Sequence, residues 1–505
     1  MNDTTNLSPT SSESEQNQVL DKDSYNLEVV RPVWMPYNDV SKELVTSLVE
    51  QFSYPVSGPK AERYAVVVAS LLKAAQTLIT PRSTDLPHYI GIRRRASGWS
   101  RYPMVGKDIS KTVVDDFLEA FGGQLVKGSG TSGLHKDDQG LWRKDPRMSM
   151  YSLDLAKLPA QLLTARFIEV GRPFVKVNPS ETRHQKDKRK AQKLSKEPLN
   201  LKAAMAIDKE AHTASESRLQ RLKDYWLSHP LEFPNGHAAA CATRVFHDER
   251  LDAGGRLYGA WTGLDQKDSR LKCTIDGEAV VEIDIRASQP TLLSSLLGYK
   301  LGGLGPHGEW DDVYGELSRL ANTDYWRTVI DDTQDVVEHI KRNRNVAKGV
   351  VMALIGSGLR LKARATTELV SELGLTPKGW SFFRDRLVAT VPALNELEAR
   401  YDKKGNLDGY INGPGFLSYH ESEMMLSTLE ALVDLDIPAY SVHDCVIVKV
   451  SDATVAASVF RATIHDYCKR LSGIEVLVPL STSVGLGTSK DLLPSADTLK
   501  GRYLY

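Results

Sequence analysis

The stretch that decides the fold runs from Glu278 to Gly298, EAVVEIDIRASQPTLLSSLLG. Its first part, Ala279 to Ile285, is a short apolar run rich in β-branched residues, which predicts a strand. Small polar residues follow, and an apolar helix is predicted from about Pro290. This order places Asp284 near the carboxyl end of a core strand. A carboxylate there is costly unless it is paired or holds a metal. Standing alone, the same aspartate also reads as a cap on the following helix.

A second stretch, DIPAYSVHDCVIVKVSD (Asp436 to Asp452), supplies the context. Two apolar runs with only His443-Asp444 between them predict a tight hairpin whose tip presents Asp444. Two carboxylates on adjacent strands can hold a pair of divalent ions. Oxygen-only ligands select Mg²⁺, with Mn²⁺ as a substitute. Between the two acidic elements lies KRNRNVAKGVVMALIGSGLRLKARA (Lys341 to Ala365). Arg344, Lys348 and Met352 follow one another at i, i+4 spacing and share one helix face. Cations one turn apart suit a triphosphate. Gly356 and Gly358 then loosen or end the helix, which suits an element that closes over a ligand. An ordinary amphipathic helix with a basic solvent face has the same pattern.

Composition sets the outer bounds. The 505 residues carry 64 Lys plus Arg against 64 Asp plus Glu, so any positive surface must be local. Four cysteines without a CxxC pair speak against a zinc knuckle or a disulfide framework and fit a reducing cytosol. The start of the chain lacks a secretory pattern. No apolar run reaches the roughly 20 residues of a membrane span. Residues 1–25 are Ser-, Thr- and Asn-rich and are expected to be a disordered tail. A mainly helical domain is expected over 26–176, from the periodicity of KAERYAVVVASLLKAAQTLI and SKTVVDDFLEAF. Between those helices Arg93, Arg94, Arg95 and Arg101 are interleaved with Trp99 and Tyr102. Residues 177–236 begin with the basic run ETRHQKDKRKAQKLSKE, expected as a loop carrying Arg183, Lys186, Lys188, Arg189 and Lys190. It reads either as a solvated segment or as a phosphate-contacting element. A catalytic domain is expected over 237–505.

The order Asp284, Arg344-x3-Lys348-x3-Met352, His443-Asp444 resembles motifs A, B and C of right-hand polymerases. The likeness is to the DNA polymerase I kind (family A) and to single-subunit RNA polymerases of the T7 type, and it covers roughly Phe246 to Val450. The resemblance implies an α+β fold with an antiparallel palm sheet, helical fingers and thumb-like helices within 177–236. It implies that Asp284 and Asp444 bind metal and are catalytic. Arg344, Lys348, Gln289 and Met352 would contact a nucleoside triphosphate, and His443 would help position the primer end. The implied partners are a nucleic-acid template and primer, with no membrane. The implied setting is the cytoplasm of a bacterial or phage-infected cell, and replication of a phage or other mobile element. DAGGRLYGAW (Asp252 to Trp261) resembles a segment of phage and mobile-element proteins with the same motifs, which makes Arg256 a template or nucleotide contact; a Gly-Gly turn entering a strand explains it equally well. GYINGPGFLSYHESEMMLSTLEAL (Gly409 to Leu432) reads as a turn-rich hairpin entering a long helix. By the resemblance its Tyr419, His420 and Glu423 face template and primer; capping and surface polarity are the plain alternative.

Two positions depart from the family pattern. Ile355-Gly356 stands where the fingers helix carries a Tyr before a Gly. Gln289 stands five residues after Asp284, where the DNA polymerases carry a Glu that blocks a ribose 2′-hydroxyl. Gln289 is bulky enough to crowd a ribose, which leans the reading toward DNA synthesis, with RNA synthesis or priming close behind. A palm that binds nucleic acid without turnover is the alternative from another class. A two-metal nuclease would need more clustered carboxylates, and no Walker motif marks a motor.

Overall fold

The computed structural model describes residues 26–58, 60–80, 87–93, 99, 102, 105, 107–127, 134–136, 142–144, 148–181, 183–192 and 196 in the first part of the chain. Further on it describes 198–299, 314, 336–356, 377–401, 407–411, 413–473, 475, 478–485, 493 and 494. The expected tail, Arg94, Arg95, Arg101 and Gly358 therefore lie outside the described residues.

The Val-rich run of the opening stretch forms the strand Glu278–Ile285. It lies inside a nine-stranded sheet. On one side it pairs with Cys445–Lys449, which pairs in turn with Ala439–Val442. It also pairs with Leu480–Val484 and with Thr274–Ile275. All of these pairings are antiparallel. The sheet continues through Leu231–Glu232, Ala238–Ala239 and Phe167–Glu169 to Trp34–Pro36. The Phe167–Glu169 pairing with Ala238–Ala239 is parallel. The helices Ser288–Leu296, Pro414–Asp434 and Ala453–Ser472 pack with this sheet around one large apolar core.

Three aromatics hold the hairpin from behind. Trp226 stacks on Tyr440 with ring centroids 4.9 Å apart, and Trp261 meets Tyr440 edge-on at 4.9 Å. The indole N–H groups of Trp226 and Trp261 donate to the Ala439 and Ser441 carbonyls, each at 2.8 Å. Because these bonds run to the backbone of the first hairpin strand, they fix its position as well as fill space.

The predicted helices are present as Ala61–Ile79, Lys107–Ala120, Lys209–Ser228, Val336–Gly356 and Pro414–Asp434. In the first region these helices pack with a sheet that the reading of the sequence did not include. Its core is built on a four-stranded sheet with Asn26–Val29, His88–Arg93, Met148–Ser152 and Gln124–Lys127 in that order, against which the helices pack. These strands are only 4 to 6 residues long, and Asn26–Val29 pairs in parallel with a strand some 60 residues away, so no local alternation announces them. The expected basic loop is likewise a helix, Arg183–Ala191. Its near-total polarity hides the 3.6-residue period by which a helix is read. No described helix is long and apolar enough to cross a membrane. The four cysteines are all buried and free.

Candidate active site

Register brings the two aspartates to one end of the sheet. Asp284 stands opposite Cys445 on one neighbouring strand and opposite Ser481 on another. Asp444 immediately precedes Cys445, and its carbonyl accepts the Ile285 N–H at 3.2 Å. The hairpin tip is therefore tied to the end of the acidic strand. His443 makes the turn with φ of 58°, in the left-handed region. Ala287, with φ of 49°, turns the chain again and starts the helix at Ser288. The two carboxylates open into a cleft of about 620 Å³. Arg256, Ser288, Gln289, Arg344, Lys348 and Met352 also line it.

Burial governs the electrostatics here. The Asp284 carboxyl is pushed up to about 7, first by desolvation and then by the neighbouring charges of Asp444 and Glu282, with Lys348 opposing. Desolvation also raises Asp444, while Arg256 and a hydrogen bond from Ser288 oppose it. Two desolvated carboxylates side by side cannot both ionise cheaply without a cation between them. The donor chemistry therefore fits a hard divalent ion bound through oxygen. Among the described residues no group of three or more His, Cys, Asp and Glu side chains is arranged to hold a metal. A metal here would rest on the two aspartates and on oxygens from water or substrate, the usual habit of Mg²⁺.

The long helix contributes a carboxylate that sequence reasoning missed. Glu421 is 1% exposed. It accepts the Arg256 Nε–H at 2.6 Å, and its other oxygen lies 3.1 Å from the Ser288 hydroxyl. Arg256 and Ser288 both line the cleft, so Glu421 braces two of its walls from beneath. The available signal was its spacing: Glu421 follows Leu417 and precedes Met425 at i, i+4, inside the apolar stripe of the helix. Tyr314, 3% exposed, was also missed; it lines the cleft with its ring 5.5 Å from the Arg344 guanidinium. Gly255 permits the approach of the Arg256 strand. Its φ is 82°, and a Cβ there would come within 2.8 Å of the Ser422 hydroxyl.

Other candidates lie away from the cleft. Glu423 accepts from Arg218 at 2.8 Å and also pairs with the buried Arg244. Arg244 lies over the rings of Phe246 and Tyr419 at 4.8 and 5.7 Å. His420 is hydrogen-bonded to the Tyr467 hydroxyl at 2.7 Å, and burial lowers its pKa. Tyr419, His420 and Glu423 thus belong to a packed network joining the long helix to its neighbours, and none lines the cleft. His443 meets Tyr258 edge-on at 5.6 Å and is pushed down to about 4 by burial, then by Arg256 and Arg270. On the basic helix, Lys186, Lys188 and Lys190 are exposed, whereas Arg189 donates twice to Glu181, at 2.8 and 3.1 Å. Only the backbone of Arg183 is described. Ile355 is 1% exposed and faces the core, and Gly356 is the last described residue of its helix.

No family model matches the chain, and no curated protein matches it. Among solved structures it is similar to the POL domain of Pol1 from M. smegmatis in complex with DNA primer-template and dNTP. The identity is 12% and the TM-score 0.31, over 57% of this chain and 56% of that one. The chain thus spans little more than half of that structure.

Proposed function

We propose that the chain is a metal-dependent, template-directed nucleotidyltransferase, with DNA synthesis favoured over RNA synthesis or priming. One observation carries this reading: Asp284 and Asp444 sit at adjacent strand ends in a cleft that Arg344 and Lys348 also line. Asp284 and Asp444 would hold Mg²⁺, or Mn²⁺ in its place, which when bound supplies the charge that activates a primer 3′-hydroxyl and neutralises a triphosphate. Arg344 and Lys348 would grip the triphosphate, with Arg344 steadied by the ring of Tyr314. Gln289 lines the same cleft and would crowd a ribose 2′-hydroxyl, which favours deoxynucleotides. Met352, 43% exposed, offers an apolar surface to the nucleotide. Arg256, braced by Glu421, would reach the template or nucleotide, and His443 the primer end.

The test is extension of a primed template by the purified full chain, with Mg²⁺ and either dNTPs or NTPs, beside Asp444→Ala. Loss of at least about 10³-fold is expected for either Asp→Ala, since preorganised charge carries the chemistry. No extension by the parent under any combination would sink the enzyme reading in favour of a palm that only binds nucleic acid. Extension that survives Asp444→Ala would sink the site assignment.

A further inference from the structure

The turn that leaves the acidic strand holds Asp444 twice. The Ile285 N–H donates to the Asp444 carbonyl at 3.2 Å, and a little further along the chain the Ser288 hydroxyl bonds the Asp444 carboxylate. Between them Ala287, in the left-handed region, bends the chain so that Ser288 opens the following helix. Main chain and side chain of the hairpin tip are thus fastened from one short segment. Ser288 is 4% exposed, and a hydrogen bond withdrawn from water in this way is stronger than one at the surface.

The same hydroxyl lies 3.1 Å from one carboxylate oxygen of Glu421, whose other oxygen accepts from Arg256 at 2.6 Å. A serine hydroxyl carries one hydrogen and donates it to one acceptor at a time. Asp444 and Glu421 therefore share a single donor. Ser288 is the first residue of its helix, one past the position from which a serine caps. Its hydroxyl serves the two carboxylates, which come from the hairpin and from the long helix Pro414–Asp434.

We propose that Ser288 is a positioning residue: its hydroxyl fixes the orientation in which Asp444 meets a divalent ion and, because Glu421 shares that hydroxyl, couples the ion to the Glu421–Arg256 pair. The inference rests on the reading of Asp284 and Asp444 as metal ligands. Carboxylates that hold a metal are oriented by hydrogen bonds from the side chains around them, and losing one such partner weakens metal binding about 10- to 100-fold. A hydrogen drawn to Asp444 is withdrawn from Glu421, so charge in the cleft is felt at Arg256, and the reverse holds equally.

The experiment is a Mn²⁺ titration of the full chain, with the free ion followed by electron paramagnetic resonance; it needs no turnover. Ser288→Ala should bind Mn²⁺ at least about 10-fold more weakly than the parent. Ser288→Thr keeps the hydroxyl and should bind closer to the parent than to Ser288→Ala. Ser294→Ala should match the parent: it removes a buried hydroxyl from the same helix, one without a hydrogen-bond partner among the described residues. Glu421→Gln keeps an oxygen for Arg256 and turns its amide N–H toward Ser288, which leaves the hydroxyl hydrogen to Asp444 alone. Ser288→Ala should therefore cost at least about twofold more Mn²⁺ affinity in the Glu421→Gln background than in the parent. Parent-like affinity in Ser288→Ala, an equal loss in Ser288→Thr or Ser294→Ala, or equal costs in the two backgrounds overturns the role of Ser288. The metal site still stands in those cases if Asp444→Ala abolishes binding. A parent that binds no Mn²⁺, or binds it no better than Asp444→Ala, overturns the metal reading and Ser288 with it.

Discussion

Arg256 donates to Glu421 across 165 residues of sequence, and it does so at the one place where the long helix puts a fully buried carboxylate under the cleft. Burial pushes Glu421 up, and the Arg256 guanidinium and the Ser288 hydroxyl hold it down. The pair is therefore strong only while both members are present.

Breaking it should be costly. Removing one partner of a buried ion pair costs about 3–5 kcal/mol, because the other charge is left uncompensated. Glu421→Ala is expected to fall in that range by urea denaturation, and Glu421→Gln, which keeps an acceptor oxygen for Arg256, to lose less. Both should slow primer extension by freeing Arg256 and Ser288. A glutamine variant less stable than the alanine variant would contradict this account.

Asp284 gives a metal-linked pH dependence. Its folded pKa, about 7, lies above the ordinary carboxylate value near 4. Its contribution to stability is therefore full below about pH 4 and is lost as pH rises through 7. Metal-free protein at pH 8 should melt at a higher temperature as Asp284→Asn than as the parent. Mg²⁺ should raise the melting temperature of the parent and leave the variant nearly unmoved. Equal responses of the two proteins in a thermal shift assay would remove Asp284 from the metal site.

Lys348 is exposed on the cleft wall, so its loss should spare the fold. A hydrogen bond to a charged group contributes about 1.5–3 kcal/mol, which is roughly a 10- to 100-fold effect. Lys348→Ala should raise KM for the nucleoside triphosphate by about that factor, with stability within about 0.5 kcal/mol of the parent. Lys348→Arg should recover part of the loss. Steady-state kinetics with nucleotide as the varied substrate decides it.

His237 makes the junction between the two cores sensitive to acid. It accepts the Phe167 N–H at 3.0 Å and is pushed down to about 3 by burial, then by Lys73 and Arg166. A pKa lowered in the folded state contributes stability above the ordinary histidine value, about 6.5, and loses it as pH falls toward 3. The urea midpoint should drop between pH 6.5 and 4. His237→Asn should lower the midpoint at neutral pH and flatten that drop. An equal slope in parent and variant would assign acid sensitivity elsewhere.

Much of the cleft was legible because its residues are announced by local patterns. The β-branched run before Asp284, the two-residue break at His443-Asp444 and the four-residue spacing of Arg344, Lys348 and Met352 depend only on neighbours in the chain. What failed to read was of two kinds. Tyr419, His420 and Glu423 have polar types that suit a binding surface, yet each also has a partner on another element, Arg244, Tyr467 and Arg218 among them. The sheet of the first core joins short strands across long separations, and no window of sequence contains both members of a pair.

By itself the sequence determined which segments are strands and helices around the cleft, and where along them the two aspartates and the cations fall. Hydrophobic periodicity and turn chemistry act within a few residues, so they can be read there. Only the tertiary structure decided which charges remain available. Glu181 takes Arg189, Arg218 and Arg244 take Glu423, and Glu421 takes Arg256. Those choices are made where burial strips water from a charge and the nearest opposite charge, however distant in sequence, has to replace it.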